Sequence, residues 1–304
     1  MIRLLVTLGI LLCSISAANA EPPRVMTSFS VLQDITQQIA GERAVVETLV
    51  GPDADAHVFE PTPRHARALA RADLVVINGL GFEGWMERLV SASGFSGPLI
   101  RASDGIQPLE TGDVETHEAH HHDGAVDPHV WHDVSLVRQY VRNISRALSG
   151  VDPASADFYA ERAAALDADL GSLDAWIQEK MAMVAGPRRV ITSHDAFSYY
   201  GEAYGVEFLY PVGWSTDAEP TAAAVAALIR QLREDEVRVL FVENISDDRL
   251  IERIASEGEG VIGGVLYSDA LSPADGPAAT YQEMMRHNTR TLVEAMGKAG
   301  DQYE

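Results

Sequence analysis

The sequence predicts an α/β protein of two similar lobes, each built on a parallel sheet, joined by a long rigid backbone helix with an interlobe cleft between them. Three observations carry that expectation. Runs rich in β-branched residues alternate with helical stretches between residues 24 and 101, the alternation restarts after Gly186-Pro187, and an apolar stripe of helical period lies between the two regions. Repeated strand–helix units imply parallel strands with helices laid over their faces. A chain of 304 residues has room for about two domains of ordinary size.

Residues 24–28 (RVMTS) read as a strand followed by a helix to about Ala40, and residues 43–50 (RAVVETLV) as a second strand. The polar loop GPDADAHVFEPTP follows, and Pro63 opens the next helix, where its missing N–H costs nothing. Residues 74–78 (LVVIN) form a third strand ending in a Gly79-Leu80-Gly81 turn, a helix runs from about Glu83 to Val90, and Pro98–Arg101 is a fourth strand. A helix over about 134–149 precedes the long one, from about Pro153 to Met183. In it Tyr159, Ala163, Leu166, Leu170, Leu173, Ile177 and Met181 recur at spacings of three and four. A coiled coil is the competing reading of that stripe. It lasts fewer than three heptads, includes the short Ala163 and runs beside Gly171, which favours a helix spanning both lobes. The second half reads as strands 188–193, 206–212, 237–243 and 261–267, with helices 196–204, 219–232 (Pro220 in its first turn), 247–256 and 280–296. The expected division is a signal peptide over 1–20, an N-terminal lobe over 21–150, a linking helix over 151–184 and a C-terminal lobe over 185–304.

The leader has its own logic. Arg3, the apolar run 4–13 and the small residues of Ala17-Ala18-Asn19-Ala20 form a secretory signal, with cleavage expected after Ala20. The apolar run is too short to span a bilayer. Cys13, the single cysteine, lies within it, so the mature chain has no thiolate to offer a metal or a substrate. A lipoprotein signal would want a small residue where Leu12 stands. The formal charge of −22 keeps an exported protein soluble, is compatible with a cationic ligand, and argues against nucleic-acid binding.

Four residues share a placement. His57 lies in the loop after strand 43–50, His129 in the loop DPHVWHD before a helix, His194 directly after strand 188–193, and Asp269 just past strand 261–267. Loops at the carboxyl ends of strands are where open α/β sheets bind ligands. Three imidazoles and a carboxylate suit Zn²⁺. The separations along the chain are too wide to be diagnostic, and any one of these histidines alone could equally be a cap or a surface residue.

The blocks DAHVFEPTPRH, DPHVWHD, TSHDAFSYYGEAYGV and LYSDALS occur in that order, with the long helix between the second and third. In this the chain resembles the metal-binding receptors of bacterial zinc and manganese ABC importers, the cluster A-I periplasmic solute-binding proteins, over the whole mature sequence. The resemblance implies periplasmic capture of a divalent metal by His57, His129, His194 and Asp269, modest closure limited by the linking helix, and delivery to the transmembrane subunits of an ABC permease. Manganese-selective members usually carry glutamate at the third ligand position and the zinc group histidine. His194 therefore points to Zn²⁺, in agreement with the preference of manganese for oxygen-rich shells. Asp269 in place of a histidine or water, and the lack of a cysteine pair, depart from some zinc receptors.

The segment His117, His120, His121, His122, with Glu115, Glu118 and Asp123, is a second candidate. Several zinc receptors resemble this chain in carrying such a loop. It would capture metal weakly or receive it from a periplasmic metal chaperone; otherwise it is a solvated insertion. Elsewhere, Asp133 reads as a helix cap, His132 as a packing or capping residue, Glu60 and Asp195 as acceptors for ligand imidazoles, and His65 and His287 as structural or exposed. A zinc hydrolase would need an open coordination position, and neither H-E-x-x-H nor G-x-S-x-G occurs. A manganese receptor of the same class, an adhesin, and a receptor for a chelated metal using Trp214 and Tyr199 are the other readings. The protein is expected to act as a monomer and not as an enzyme.

Overall fold

The computed structural model describes residues 21–110, 126–217, 220–234 and 237–300. The first half contains β1 (Arg24–Phe29), α1 (Ser30–Ala40), β2 (Val45–Val50), α2 (Pro63–Leu69), β3 (Leu74–Ile77), α3 (Met86–Ser93) and β4 (Leu99–Arg101). Its strands are all parallel, in the order β2-β1-β3-β4. A short 3-10 turn, Val130–His132, leads into α4 (Val134–Val151), followed by α5 (Ala156–Ala182). The second half contains β5 (Arg189–Ile191), α6 (Ser198–Tyr204), β6 (Glu207–Leu209), α7 (Ala222–Glu234), β7 (Val239–Glu243), α8 (Arg249–Gly258), β8 (Val261–Leu266) and α9 (Tyr281–Gly300). Its order, β6-β5-β7-β8, repeats the first, again all parallel. In both sheets the winding reverses beside the first strand, which opens a crevice at the carboxyl ends of the strands. No described helix is long and apolar enough to cross a membrane.

Burial on both faces leaves β3 wholly apolar, and all four of its residues are buried. Helix α5 has 27 residues, about 40 Å at 1.5 Å per residue. Its buried side chains are Tyr159, Leu166, Leu170, Leu173, Ile177 and Met181, with Ala163 partly buried beside them. That stripe packs on α1 and α4 of the first lobe and on α6 and α9 of the second. One hydrophobic core consequently runs through both lobes, from Val25 in β1 through Leu173 to Met284 and Leu292 in α9. A smaller cluster fills the space under α7 and α8, around Leu232, Leu240 and Ile254.

Direct hydrogen bonds reinforce this junction. Leu271 N donates to Ser30 Oγ (2.9 Å), Tyr281 N to Asp34 Oδ2 (2.8 Å) and Trp131 Nε1 to the Ser268 carbonyl (2.8 Å). The lobes are thus tied across a wide face.

Helices α3, α5, α6, α7 and α8 begin two or three residues later than the sequence expectation, so Pro220 precedes α7 instead of lying in its first turn, and two of these starts have a clear local reason. Helix α3 begins at Met86 because Glu83 is turned inward, where its carboxylate accepts from Asn78 N (2.6 Å), Gly79 N (3.1 Å) and Ser28 Oγ (2.6 Å). Leu80, at φ +55°, makes that turn possible between two glycines that also have positive φ. Helix α8 begins at Arg249 because Asp247 accepts from the Arg249 backbone N–H (3.0 Å) and so lies outside the helix.

Candidate metal centre

His57, His129, His194 and Asp269 converge across the crevice, with one potential ligand atom from each lying within 4.8 Å of the others. His57 Nε2 is 3.3 Å from His129 Nε2 and 3.2 Å from Asp269 Oδ2. His194 Nε2 is 3.3 Å from Asp269 Oδ2, and His129 Nε2 is 3.5 Å from Asp269 Oδ1. Ligand bonds of about 2.0–2.1 Å to a tetrahedral Zn²⁺ would set neighbouring ligand atoms about 3.3 Å apart. These four separations are those of neighbouring ligands around one metal, and the remaining pairs lie within 4.8 Å. Asp269 is fully buried, and its oxygens face an imidazole nitrogen of each of the three histidines. A buried carboxylate is costly unless positive charge stands beside it, which a bound cation would supply.

Each ligand is held by its own segment. In the loop after β2, Asp55 Oδ1 accepts from His57 N (2.8 Å), Trp85 Nε1 donates to the Ala56 carbonyl (2.7 Å), and the His57 ring lies between Phe82 (4.7 Å) and Trp214 (5.9 Å). Before α4, Asp127 Oδ1 accepts from both N (2.9 Å) and Nδ1 (2.7 Å) of His129. Asn78 Nδ2 holds the Pro128 carbonyl (2.9 Å), and Tyr199 donates to the Asp127 carbonyl (3.1 Å). At the end of β5, Glu243 Oε1 accepts from Ser193 N (2.7 Å) and His194 N (3.0 Å), while its Oε2 lies 2.7 Å from His194 Nδ1. The contacts to Nδ1 leave Nε2 of both rings facing the metal position.

The electrostatics are those of a cation site. Burial lowers the His129 pKa to about 3, which keeps its imidazole neutral and able to ligate. Burial raises Asp127 to about 7, opposed by the His129 backbone N–H. Burial also opposes charge on His194 and Asp269, yet their neighbours prevail. Glu243 and Asp269 raise His194 well above the ordinary histidine value, and His194 and His129 hold Asp269 well below the carboxylate range. A positive charge on His194 between two carboxylates does in the metal-free protein what a bound cation would do at the centre.

All four residues singled out as ligands are brought together. His117, His120, His121 and His122 lie outside the described residues, as does the leader, residues 1–20. Asp133 caps α4, accepting from Ser135 N (2.8 Å). His132 is buried against Phe197 (4.5 Å), and burial lowers its pKa to about 3. His65 closes the capping box of α2, and His287 Nε2 sits 3.0 Å from the Val265 carbonyl. The two proposed imidazole acceptors are corrected. Glu60 is exposed, and Asp195 accepts instead from Ser198 Oγ (2.5 Å) in the first turn of α6. The acceptors are Asp127 and Glu243. The first stands two residues before a ligand, and the second is the charge that ends the apolar strand VRVLFVE; both signals were present in the sequence. Tyr199 is engaged with Leu109 N and the Asp127 carbonyl and so is committed to structure.

Partners that orient ligating histidines typically contribute 10–100-fold to metal affinity. Glu243→Gln keeps the volume and a possible contact to Nδ1 but removes the charge and one acceptor oxygen. Zinc affinity, measured by chelator competition, is expected to fall about 10–100-fold; an unchanged affinity would refute this role for Glu243.

Comparison with known proteins agrees with the geometry. A family model described as "ZnuA: Zinc-uptake complex component A periplasmic" matches residues 25–295. The chain is 32% identical over 281 residues to the iron-binding protein YfeA of Yersinia pestis, covering 92% of this chain and 88% of that protein. It is 30% identical over 286 residues to the manganese-binding lipoprotein MntA of Halalkalibacterium halodurans, covering 93% and 91%. Among solved structures, the periplasmic zinc binding protein TroA from Treponema pallidum superposes with a TM-score of 0.81 at 28% identity, covering 90% of this chain and 99% of that one.

Proposed function

The chain belongs to the ZnuA family of periplasmic metal-uptake components, and from that premise we propose that it captures Zn²⁺ with high affinity at His57, His129, His194 and Asp269 and delivers it to an ABC permease. The family is one of solute-binding receptors of metal ABC importers, working with permease and ATPase subunits, and not of enzymes. Its characterised relatives bear zinc, manganese and iron names, so family membership alone leaves the metal open. The observation that favours zinc is His194. A third imidazole, with its Nδ1 occupied by Glu243, makes the shell three nitrogens and one carboxylate. Borderline-soft Zn²⁺ accepts that set, whereas Mn²⁺ is better served by more oxygen donors.

The site closes around its cargo rather than leaving a coordination position for reactive water, which is the arrangement of a carrier. Export by the leader, a location in the periplasm, action as a monomer, and weak accessory capture or chaperone contact through residues 115–123 complete the reading.

Titrating metal-free protein with Zn²⁺ and with Mn²⁺ tests it. One tight zinc site should be found that is lost in His194→Ala, with only weaker sites lost on deleting residues 115–123. Manganese bound more tightly than zinc, or unchanged affinity in His194→Ala, would overturn the zinc assignment.

A further inference from the structure

Asn244 follows Glu243 at the end of β7 and has no role in the ligand set. Its side chain nevertheless touches both lobes. Its Oδ1 accepts from Ser268 N (3.3 Å), and its Nδ2 donates to the Ala270 carbonyl (3.2 Å), so it grips the residues on either side of Asp269. The same Nδ2 donates to Asp53 Oδ1 (2.9 Å), in the first-lobe loop that carries His57. A backbone N–H on one side and a carbonyl on the other fix which end of the amide is oxygen.

The loop from β2 to His57 is anchored to the second lobe at two further points. Asp53 N donates to the Leu271 carbonyl (3.0 Å), and Thr216 Oγ1 donates to Asp55 Oδ2 (2.6 Å). Asp53 holds φ +52°, a conformation an aspartate tolerates but does not prefer. A left-handed residue held from both its backbone and its side chain marks a position the surroundings dictate.

We propose that Asn244 is a positioning residue for metal retention: through one amide it aligns Asp269 and clasps the His57 loop of the opposite lobe, so that the two ligands are released together or not at all. The inference rests on the metal-receptor reading above. It goes further by assigning the rate of release to a residue that does not touch the metal. Loss of the clasp should raise the dissociation rate while leaving association, which begins from the open loop, nearly unchanged.

The decisive variant is Asn244→Asp. It keeps the size and the acceptor for Ser268 N but sets a carboxylate against Asp53 and the Ala270 carbonyl. Zinc release from the loaded protein, followed by stopped-flow transfer to a chromogenic chelator, should be at least about tenfold faster, in the range seen when outer partners of metal ligands are lost. Adding Asp53→Asn to that variant exchanges amide and carboxylate across the gap and should recover most of the retention. A purely structural role for Asn244 would not yield such rescue. Thermal melts of the metal-free forms establish that both variants fold. Equal release rates in Asn244→Asp and the unaltered protein, or no slowing on adding Asp53→Asn, would overturn the role. Failure of the unaltered protein to retain Zn²⁺ or Mn²⁺ at all would instead overturn the receptor reading on which it rests.

Discussion

Asp269→Ala should weaken zinc binding by about a hundredfold to nearly a thousandfold, the largest effect expected of any single ligand. Structural zinc sites of four ligands bind with apparent free energies of about 10–16 kcal/mol, or about 2.5–4 kcal/mol for each ligand, and each 1.4 kcal/mol is tenfold. Asp269 is the only anionic member of the shell, and its oxygens lie 3.2–3.5 Å from a nitrogen of each of the three histidines. Its removal takes away a ligand and the one first-contact charge that balances the cation. Asp269→Asn separates the two contributions, since the amide oxygen can still ligate, and should fall between the unaltered protein and the alanine variant. Competition against chelators of graded affinity reads all three. A loss below tenfold in Asp269→Ala would show that the histidines hold the metal without it.

Zinc should raise the thermal midpoint of the protein by roughly 8–10 °C when free metal is about a thousand times its dissociation constant. Ligand binding to the native state alone stabilises by about 4 kcal/mol at that excess, and a chain of this size shifts by about 2 °C per kcal/mol. The structural reason is that the site joins loops from both lobes, so the unfolded chain has nothing comparable to offer. Chelator should return the midpoint to its metal-free value. In His57→Ala the shift at the same metal concentration should fall by more than half, because a ligand supplied by the first lobe is lost and the metal is bound more weakly. Calorimetry with and without metal checks both, and an equal zinc shift in His57→Ala would count against a site shared between the lobes.

Much of this molecule can be read from its residues. The stripe from Tyr159 to Met181 is buried as its spacing demands, because a helix between two lobes has to hide one face whatever they bind. Strands such as LVVI are legible for the same reason: burial on both faces leaves no polar position. The ligands were legible through placement and through the blocks shared with metal receptors. Their outer partners were misread at Glu60 and Asp195 because nearness in sequence was taken for nearness in space. Glu243 comes to His194 from a neighbouring strand 49 residues away, and only the pairing of β5 with β7 brings them together.

The sequence by itself determined the two repeated α/β halves and the helix between them, which follow from local periodicity. The four proposed ligand side chains were singled out by their placement and by the blocks that resemble metal receptors. Only the tertiary structure decided that the four donors lie at the spacing of one metal shell, that Asp127 and Glu243 turn Nε2 of His129 and His194 toward it, and that Asn244 reaches from the Asp269 loop to Asp53. Such contacts join residues far apart in the chain, among them His57 with Asp269 and Asp53 with Asn244. They depend on strand order and on how two lobes pack against α5, and no local pattern in the chain records either.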